Sequence, residues 1–491
     1  MFKNKTCDRL TIRFGDKSEY VLDQGIGLNW HHDWRADNAP RSSSPPVEDE
    51  ERWRILMEEL SFLSPNCIRF GYAAGKFVDE AGRINKNGDG FAVLKKLNDW
   101  ARERQVSIFF DPWGIPRHYS FGKGADGVFY DAPGDIPAFV DGFIVPLIKY
   151  LVDERKLVSL THFILLNEPL GSRTYLTPPG IDRYAHYVEC YRSIFDAIQR
   201  NGFPIKLIGP DSWSTATWAV DCMNERNLDL APSIDAFDQH CYYARFDYLP
   251  PNPTTASTLP MTSIIHDHVA KHARFARHKG KRYYITELGT FYYGWEQGDI
   301  FGGCTHEAFL TEAEFIIRAM QVGCGGFYRW AYLAPGEYAD GVWQFINTVD
   351  NSYTRQPHTF HGYACLMRYT GRDAVVWPAR VEPRTDIYEY VHAVGLQRPD
   401  KHFTILAVNN HNSQERIVRI ELPDGWKGSW QKLLDDRTRK MLRNDLTPVN
   451  GVIEDVLPPM SLAVYTTVRL PDDNRIGINN YVSPCGGPQA F

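Results

Sequence analysis

Eight times between Asp23 and Tyr369 a short apolar run is followed by a helical pattern. That order constrains the fold more than any other feature, because strictly alternating strands and helices build a parallel sheet. The strands are expected at residues 25–29, 67–70, 106–110, 163–166, 205–208, 236–242, 283–286 and 326–330. The first helix follows Pro45 and Pro46, with Glu48 and Glu51 in an acidic first turn and Trp53, Leu56, Met57, Leu60 and Leu63 at helical spacing. Gly202 should stop a helix over 181–199. A doubly wound sheet is the competing solution. It would carry a glycine-rich phosphate turn after its first strand, and G-I-G-L-N-W does not open a helix. The alternation therefore predicts a (β/α)8 TIM barrel over 23–369, whose functional residues should sit at the C-terminal strand ends.

Beyond Tyr369 the texture changes to short alternating strands, such as F-T-I-L-A-V-N-N and S-L-A-V-Y-T-T-V, divided by D-G, N-N-H-N and P-P turns. Such a series reads as an antiparallel β-sandwich domain over 370–470. The strand-like segment 11–21 is placed to join it from the other end of the chain. The polar tail 471–491 reads as a surface arm and a candidate oligomer contact.

Two segments share one grammar. I-L-L-N-E-P and Y-I-T-E-L-G each run β-formers into a carboxylate, Glu168 and Glu287, with a chain-breaking residue close behind. Two carboxylates facing one cleft are the minimum equipment for hydrolysing a glycosidic bond: one protonates the leaving oxygen, the other attacks or activates water. Asn167 beside Glu168 suits a hydrogen bond to the sugar 2-hydroxyl that tightens in the transition state. At 2.0-residue spacing, His240 and Tyr242 of H-C-Y fall on one side of the sixth strand.

These motifs resemble clan A glycoside hydrolases, the retaining (β/α)8 group that includes families 5, 30, 39 and 51. The resemblance runs in order along nearly the whole chain, in motifs only two to four residues long, and does not select one family. It implies Glu168 as acid/base and Glu287 as nucleophile. It also implies Arg69 holding the nucleophile, His240 and Tyr242 in an H-x-Y pattern, and Trp330 flooring the first sugar subsite. The terminal strands resemble the appended β-domain of families 30 and 39. Strand 3 departs from the family 5 pattern, ending in F-D-P-W-G where a histidine is usual. Asp111 and Trp113 become candidate sugar contacts there.

Aromatic residues are abundant, with 13 Trp, 26 Tyr and 27 Phe. Most belong in a large core, but Trp113, Trp213 and Trp295 follow strand ends, where flat rings stack on sugar faces. His31, His32, Asp33 and Trp34 follow the first strand and are candidates for the glycone pocket. His-His-Asp alone does not make a metal site, and no second ligand cluster at useful spacing accompanies it. No metal and no cofactor are expected. The histidines at 266, 268, 272 and 278 read as a polar helix face, and Arg329 as a structural residue.

A net charge of −6 without a basic cluster argues against a nucleic-acid partner. Nine cysteines, scattered and odd in number, form neither a disulfide framework nor a zinc site, and suit a reducing compartment. With no signal-like start and no run long enough to span a bilayer, a cytoplasmic enzyme is expected. The reading is a retaining β-glycoside hydrolase on short oligosaccharides or glycosides, exo-acting, with an endo-acting glucanase, xylanase or galactanase as alternative. A sugar-binding protein on a hydrolase scaffold is the reading from a different class.

Overall fold

The computed structural model describes residues 9–15, 20–31, 44–170, 174–212, 218–243, 261–290, 306–333, 345–347, 354–355, 357–383, 390–436 and 442–471. Eight parallel strands close into a barrel. In chain order they are β1 (Gly25–His31), β2 (Cys67–Ala73), β3 (Ser107–Trp113), β4 (Leu160–Ile164), β5 (Lys206–Ser212), β6 (Ala236–Tyr243), β7 (Arg282–Thr290) and β8 (Gly326–Arg329). β8 pairs with β1 to complete the ring. Closure needs tight approach at β1, where a Cβ on Gly27 would lie 1.9 Å from the Cys67 carbonyl oxygen.

Helix ends follow local sequence. Asp49 caps helix Glu50–Leu63 by accepting from the Arg52 amide, and Asp182 caps Arg183–Asn201 in the same way. The latter stops at Gly202, whose φ of 66° is open to glycine without a Cβ penalty. The histidine-rich segment differs from its expected role. His272 is buried, bonded through Nδ1 to Gln239 at 2.8 Å and packed on Trp218, because its side of the helix faces the barrel.

The remaining strands form a second, mostly antiparallel assembly. Strand Ala374–Glu382 crosses between its two sheets: residues 375–378 pair with Val391–Gln397, and residues 379–382 pair with Arg9–Phe14. The N-terminal strand also runs parallel to Arg416–Glu421. Period-two alternation then divides the burial. In strand Phe403–Asn409, Leu406 and Val408 face the barrel helices, while Phe403, Ile405 and Ala407 face the sandwich interior with Trp426 and Trp430. Helix His306–Gln321 lies at this junction. His306 Nε2 meets the Met460 carbonyl at 2.9 Å, and Asn410 donates to Glu314. Among the described residues no helix is long and apolar enough to cross a membrane.

Candidate active site

Side chains at every second strand position point into the barrel. The middle of the barrel is filled by Cys67, Phe109, Ile164, Ile208, Ala236, Tyr284 and Tyr328. Two residues further toward the C-terminal ends, the same rows carry Arg69, Asp111, Asp238, Thr286 and Trp330, then Trp113 and His240, and then Tyr242. A polar chamber thus rests on an apolar plug.

Alternation alone would turn Glu287 outward, since Thr286 already faces in. A register shift between β6 and β7 corrects this: Gln239 pairs with Ile285, and the next residue, His240, pairs with Glu287. The bulge inserts an extra residue and re-aims the carboxylate. β7 then continues to Thr290, so Glu287 lies within its strand rather than at the end that the sequence suggests. β5 has a comparable irregularity opposite Phe237–Gln239, where Asp211 adopts φ 54°. Glu168 differs again. β4 ends at Ile164, and Glu168 follows in a turn with φ 47°.

Both Glu287 oxygens accept hydrogen bonds. Arg69 Nη1 donates to Oε1 at 2.5 Å, and the Tyr242 hydroxyl donates to Oε2 at 2.7 Å. Arg69 is almost wholly buried and serves as a hub: Nη1 also reaches Asn29 Oδ1 at 3.0 Å, and Nη2 reaches Asp111, Asn167 and Asp211 at 2.6, 2.8 and 2.9 Å. The contact through Asn167 Oδ1 fixes that amide's orientation and turns its NH2 away from Arg69.

Glu168 Oε1 lies 2.7 Å from His240 Nδ1, which is also 3.4 Å from Glu287 Oε2. Burial raises the Glu168 carboxyl above its ordinary range, and the His240 contact only partly opposes this. For His240, burial works against the charge, yet Glu287 and Asp211 outweigh it and hold the imidazole well above its ordinary value. Its other nitrogen, Nε2, is 3.1 Å from Asp211 Oδ1.

Three carboxylates share Arg69, and they are not equivalent. Asp211 also has His240 and Thr286; Glu287 has Tyr242. Asp111 is fully buried with Arg69 as its one donor among the described residues, and burial pushes it up to about 8. Asp111 Oδ2 thus meets Arg69 at 2.6 Å with its carboxyl shielded from solvent. Burial also opposes the Asp211 charge, but Arg69 and His240 prevail and hold it below its ordinary range.

Trp330 and Trp113 stack at 5.8 Å between ring centroids, with planes 11° apart, and Tyr242 packs against the same group. This aromatic surface borders Glu287. His32, Trp213 and Trp295 lie outside the described residues, as do Asp33 and Trp34; β1 extends to His31. Arg329 faces away from the chamber and pairs with Glu312 at 2.9 Å, fully buried.

Glu168, His240 and Glu287 offer atoms that all lie within 4.8 Å of one another, which is metal-ligating chemistry by residue type. There Glu168 Oε1 and His240 Nδ1 stand in direct hydrogen-bond contact at 2.7 Å. Asp211, Asp238 and Asn29 are the site residues that sequence reasoning does not reach. The signal for Asp211 was present in I-G-P-D-S, an acid closing a strand.

No protein-family model matches this chain, and no curated protein matches it. Solved structures do share its fold. A GH30 endoxylanase from Clostridium papyrosolvens aligns over 94% of this chain and 100% of its own, with 14% identity and a TM-score of 0.64. A GH39 enzyme from Xanthomonas axonopodis pv. citri covers 94% and 98%, at 14% identity and 0.59. A family 51 α-L-arabinofuranosidase from Bifidobacterium longum covers 94% and 100%, at 12% identity and 0.62. The likeness extends through barrel and sandwich alike.

Proposed function

We propose that the chain is a retaining β-glycoside hydrolase working by double displacement, with Glu287 as nucleophile and Glu168 as acid/base. The carrying observation is the short approach of the two carboxyl groups, no more than 4.8 Å between facing oxygens. Retaining enzymes hold their carboxyls roughly 5–5.5 Å apart, whereas inverting ones leave roughly 6.5–9.5 Å for a water. The neighbouring structures include families 30, 39 and 51, three of those named by the sequence resemblance.

Glu287 attacks the anomeric carbon while Glu168 passes its proton to the leaving oxygen. The raised Glu168 carboxyl suits the first role, and once Glu287 is consumed as an ester, Glu168 ionises more readily and takes a proton from water. Asn167 presents its NH2 toward the 2-hydroxyl, and Trp330 with Trp113 supports the sugar face. Arg69 and His240 act from behind the carboxylates.

Exo action on short oligosaccharides or glycosides accords with the length of chain that follows β1, β3, β6 and β7. Endo action on a β-glycan is the second reading, favoured by the endoxylanase among the structural neighbours. A cytoplasmic setting accords with the nine cysteines, scattered along the chain and odd in number.

The test is hydrolysis of a panel of nitrophenyl glycosides and β-glycans, with the first-formed anomer followed by NMR. Retention and release of single sugar units are expected. Glu287→Gly should lose turnover and recover it with azide as a glycosyl azide of inverted configuration. A first product of inverted configuration, or full activity in Glu287→Gly, overturns the mechanism; cleavage of polymers alone overturns the exo assignment.

A further inference from the structure

We infer that Asp211 is a positioning residue that keeps His240 a permanent cation, aimed through Nδ1 at both glutamates. The inference rests on the functional reading above and adds a component to it.

Geometry is the first argument. His240 is fully buried, with Nε2 3.1 Å from Asp211 Oδ1 on one side and Nδ1 facing Glu168 and Glu287 on the other. An imidazole between acceptors at both nitrogens must carry both protons to donate to each. Asp211 supplies the acceptor at the back.

The second argument is the backbone. Asp211 sits fully buried with φ 54°, a region that costs a non-glycine residue free energy and persists only where its surroundings hold it. The Asp211 amide donates to Asp238 Oδ1 at 2.7 Å. Its Oδ2 accepts from Arg69 at 2.9 Å and from the Glu168 amide at 3.3 Å, and Thr286 Oγ1 donates to Oδ1 at 3.3 Å. Thus one carboxylate ties β5 to β2, to β6, to β7 and to the turn that carries Glu168.

The charges around His240 come from every neighbouring element: Glu168 from the turn after β4, Asp211 from β5 and Glu287 from β7. Asp238 lies on its own strand, with Arg69 and Asp111 one layer away on β2 and β3. Burial, and then the Asp211 charge, push Asp238 well above its ordinary range, and its two oxygens accept from the Asp211 amide and Thr286 Oγ1 rather than from His240.

The chemical consequence concerns charge movement. Before reaction Glu287 carries the negative charge and Glu168 the proton. As the glycosyl–enzyme bond forms, the glycosidic bond breaks, the Glu168 proton leaves with the departing oxygen, and the negative charge moves to Glu168. The proton on Nδ1 does not transfer. It faces one anionic carboxylate throughout, first at 3.4 Å and then at 2.7 Å. A neutral imidazole donating from Nε2 would instead turn a lone pair toward the glutamates.

The experiment labels the 16 histidines with 13C at Cε1 and assigns His240 by its loss in His240→Asn. In the wild type, His240 should be protonated at pH 7. In Asp211→Asn its midpoint should fall by about one unit or more, an effect that a purely structural role would not produce in a variant that still melts cooperatively. A neutral His240 at pH 7 in the wild type overturns the inference without any Asp211 variant. So does an unchanged midpoint in folded Asp211→Asn.

Kinetics supply the second arm. Asp211→Asn should lose on the order of 100-fold in kcat on an alkyl glycoside, which needs acid assistance. The Asp211→Asn/His240→Asn pair should be no more than about threefold worse than His240→Asn alone, and full additivity contradicts action through the imidazole. The titration needs no turnover. If Glu287→Gly keeps its activity, the functional reading fails while the titration still reports on Asp211.

Discussion

The Tyr242 hydroxyl donates to Glu287 Oε2 at 2.7 Å, on the oxygen that Arg69 leaves free. Tyr242 also packs against Trp330 and Trp113, so one side chain joins the reacting carboxylate to the aromatic surface beside it.

Removing that hydroxyl should weaken stabilisation at Glu287 while leaving the ring in place. A hydrogen bond to a charged group contributes about 2 kcal/mol, equivalent to roughly 30-fold in rate. Tyr242→Phe should therefore lose on that order in kcat/KM on the best nitrophenyl glycoside. Activity equal to the wild type would remove Tyr242 from the mechanism.

Glu168 should set the alkaline limb of the pH–rate profile. Its carboxyl titrates above its ordinary range, and the reaction needs it protonated, so kcat/KM should fall as pH rises through that raised value. Glu168→Ala should flatten this limb. Its rate loss should be large for alkyl leaving groups and much smaller for dinitrophenol. An unaltered alkaline limb in the variant would assign the limb to another group.

Asp111 makes the opposite prediction from Asp211, whose charge Arg69 and His240 favour. It keeps its proton up to about pH 8 in the folded protein and gives it up near its ordinary 3.8 when unfolded. The native state thus binds the extra proton between those values, and stability falls as pH rises through that window. Asp111→Asn copies the neutral form, so it should be nearly as active as the wild type at pH 6 and lose less Tm between pH 5 and pH 9. Equal Tm losses in both proteins would contradict this.

Trp330 contributes contact area to the bound sugar and no proton chemistry. Trp330→Ala should weaken kcat/KM by about tenfold, through KM more than kcat, the signature of uniform binding. Trp113→Ala should show a smaller effect of the same kind, since it reaches Glu287's surroundings through Trp330. A selective fall in kcat would point to a role in chemistry.

Arg329 and Glu312 form a fully buried pair away from the chamber, joined by the Tyr363 hydroxyl at 2.6 Å from Glu312. Arg329→Met removes the guanidinium that pairs with buried Glu312 and should destabilise the fold by roughly 3–5 kcal/mol. Denaturant titration reads this directly. The specific activity of the folded fraction should stay near the wild-type value.

Much of the barrel was legible because its rule is local. Alternating β and α patterns require a parallel sheet, and period-two spacing places His240 and Tyr242 on one side of their strand from the sequence alone. Glu287 and Asp211 break that spacing. Each reaches the chamber through a strand irregularity, and Asp211 also through a left-handed backbone that no residue type announces. Glu168 is reached through a turn past β4. His272 was misplaced for a related reason: a histidine on a polar-looking helix is buried only if the opposite wall offers a partner, and that partner is Gln239 on another element.

Composition and order along the chain therefore determined the architecture, the residue types at the strand ends and the pair of glutamates. The tertiary structure decided their separation, which oxygen each donor occupies, and which buried acids hold a charge. The reason is electrostatic. The energy of a buried charge depends on distances of a few ångströms to groups hundreds of residues away, and those distances are set by barrel closure and two strand irregularities.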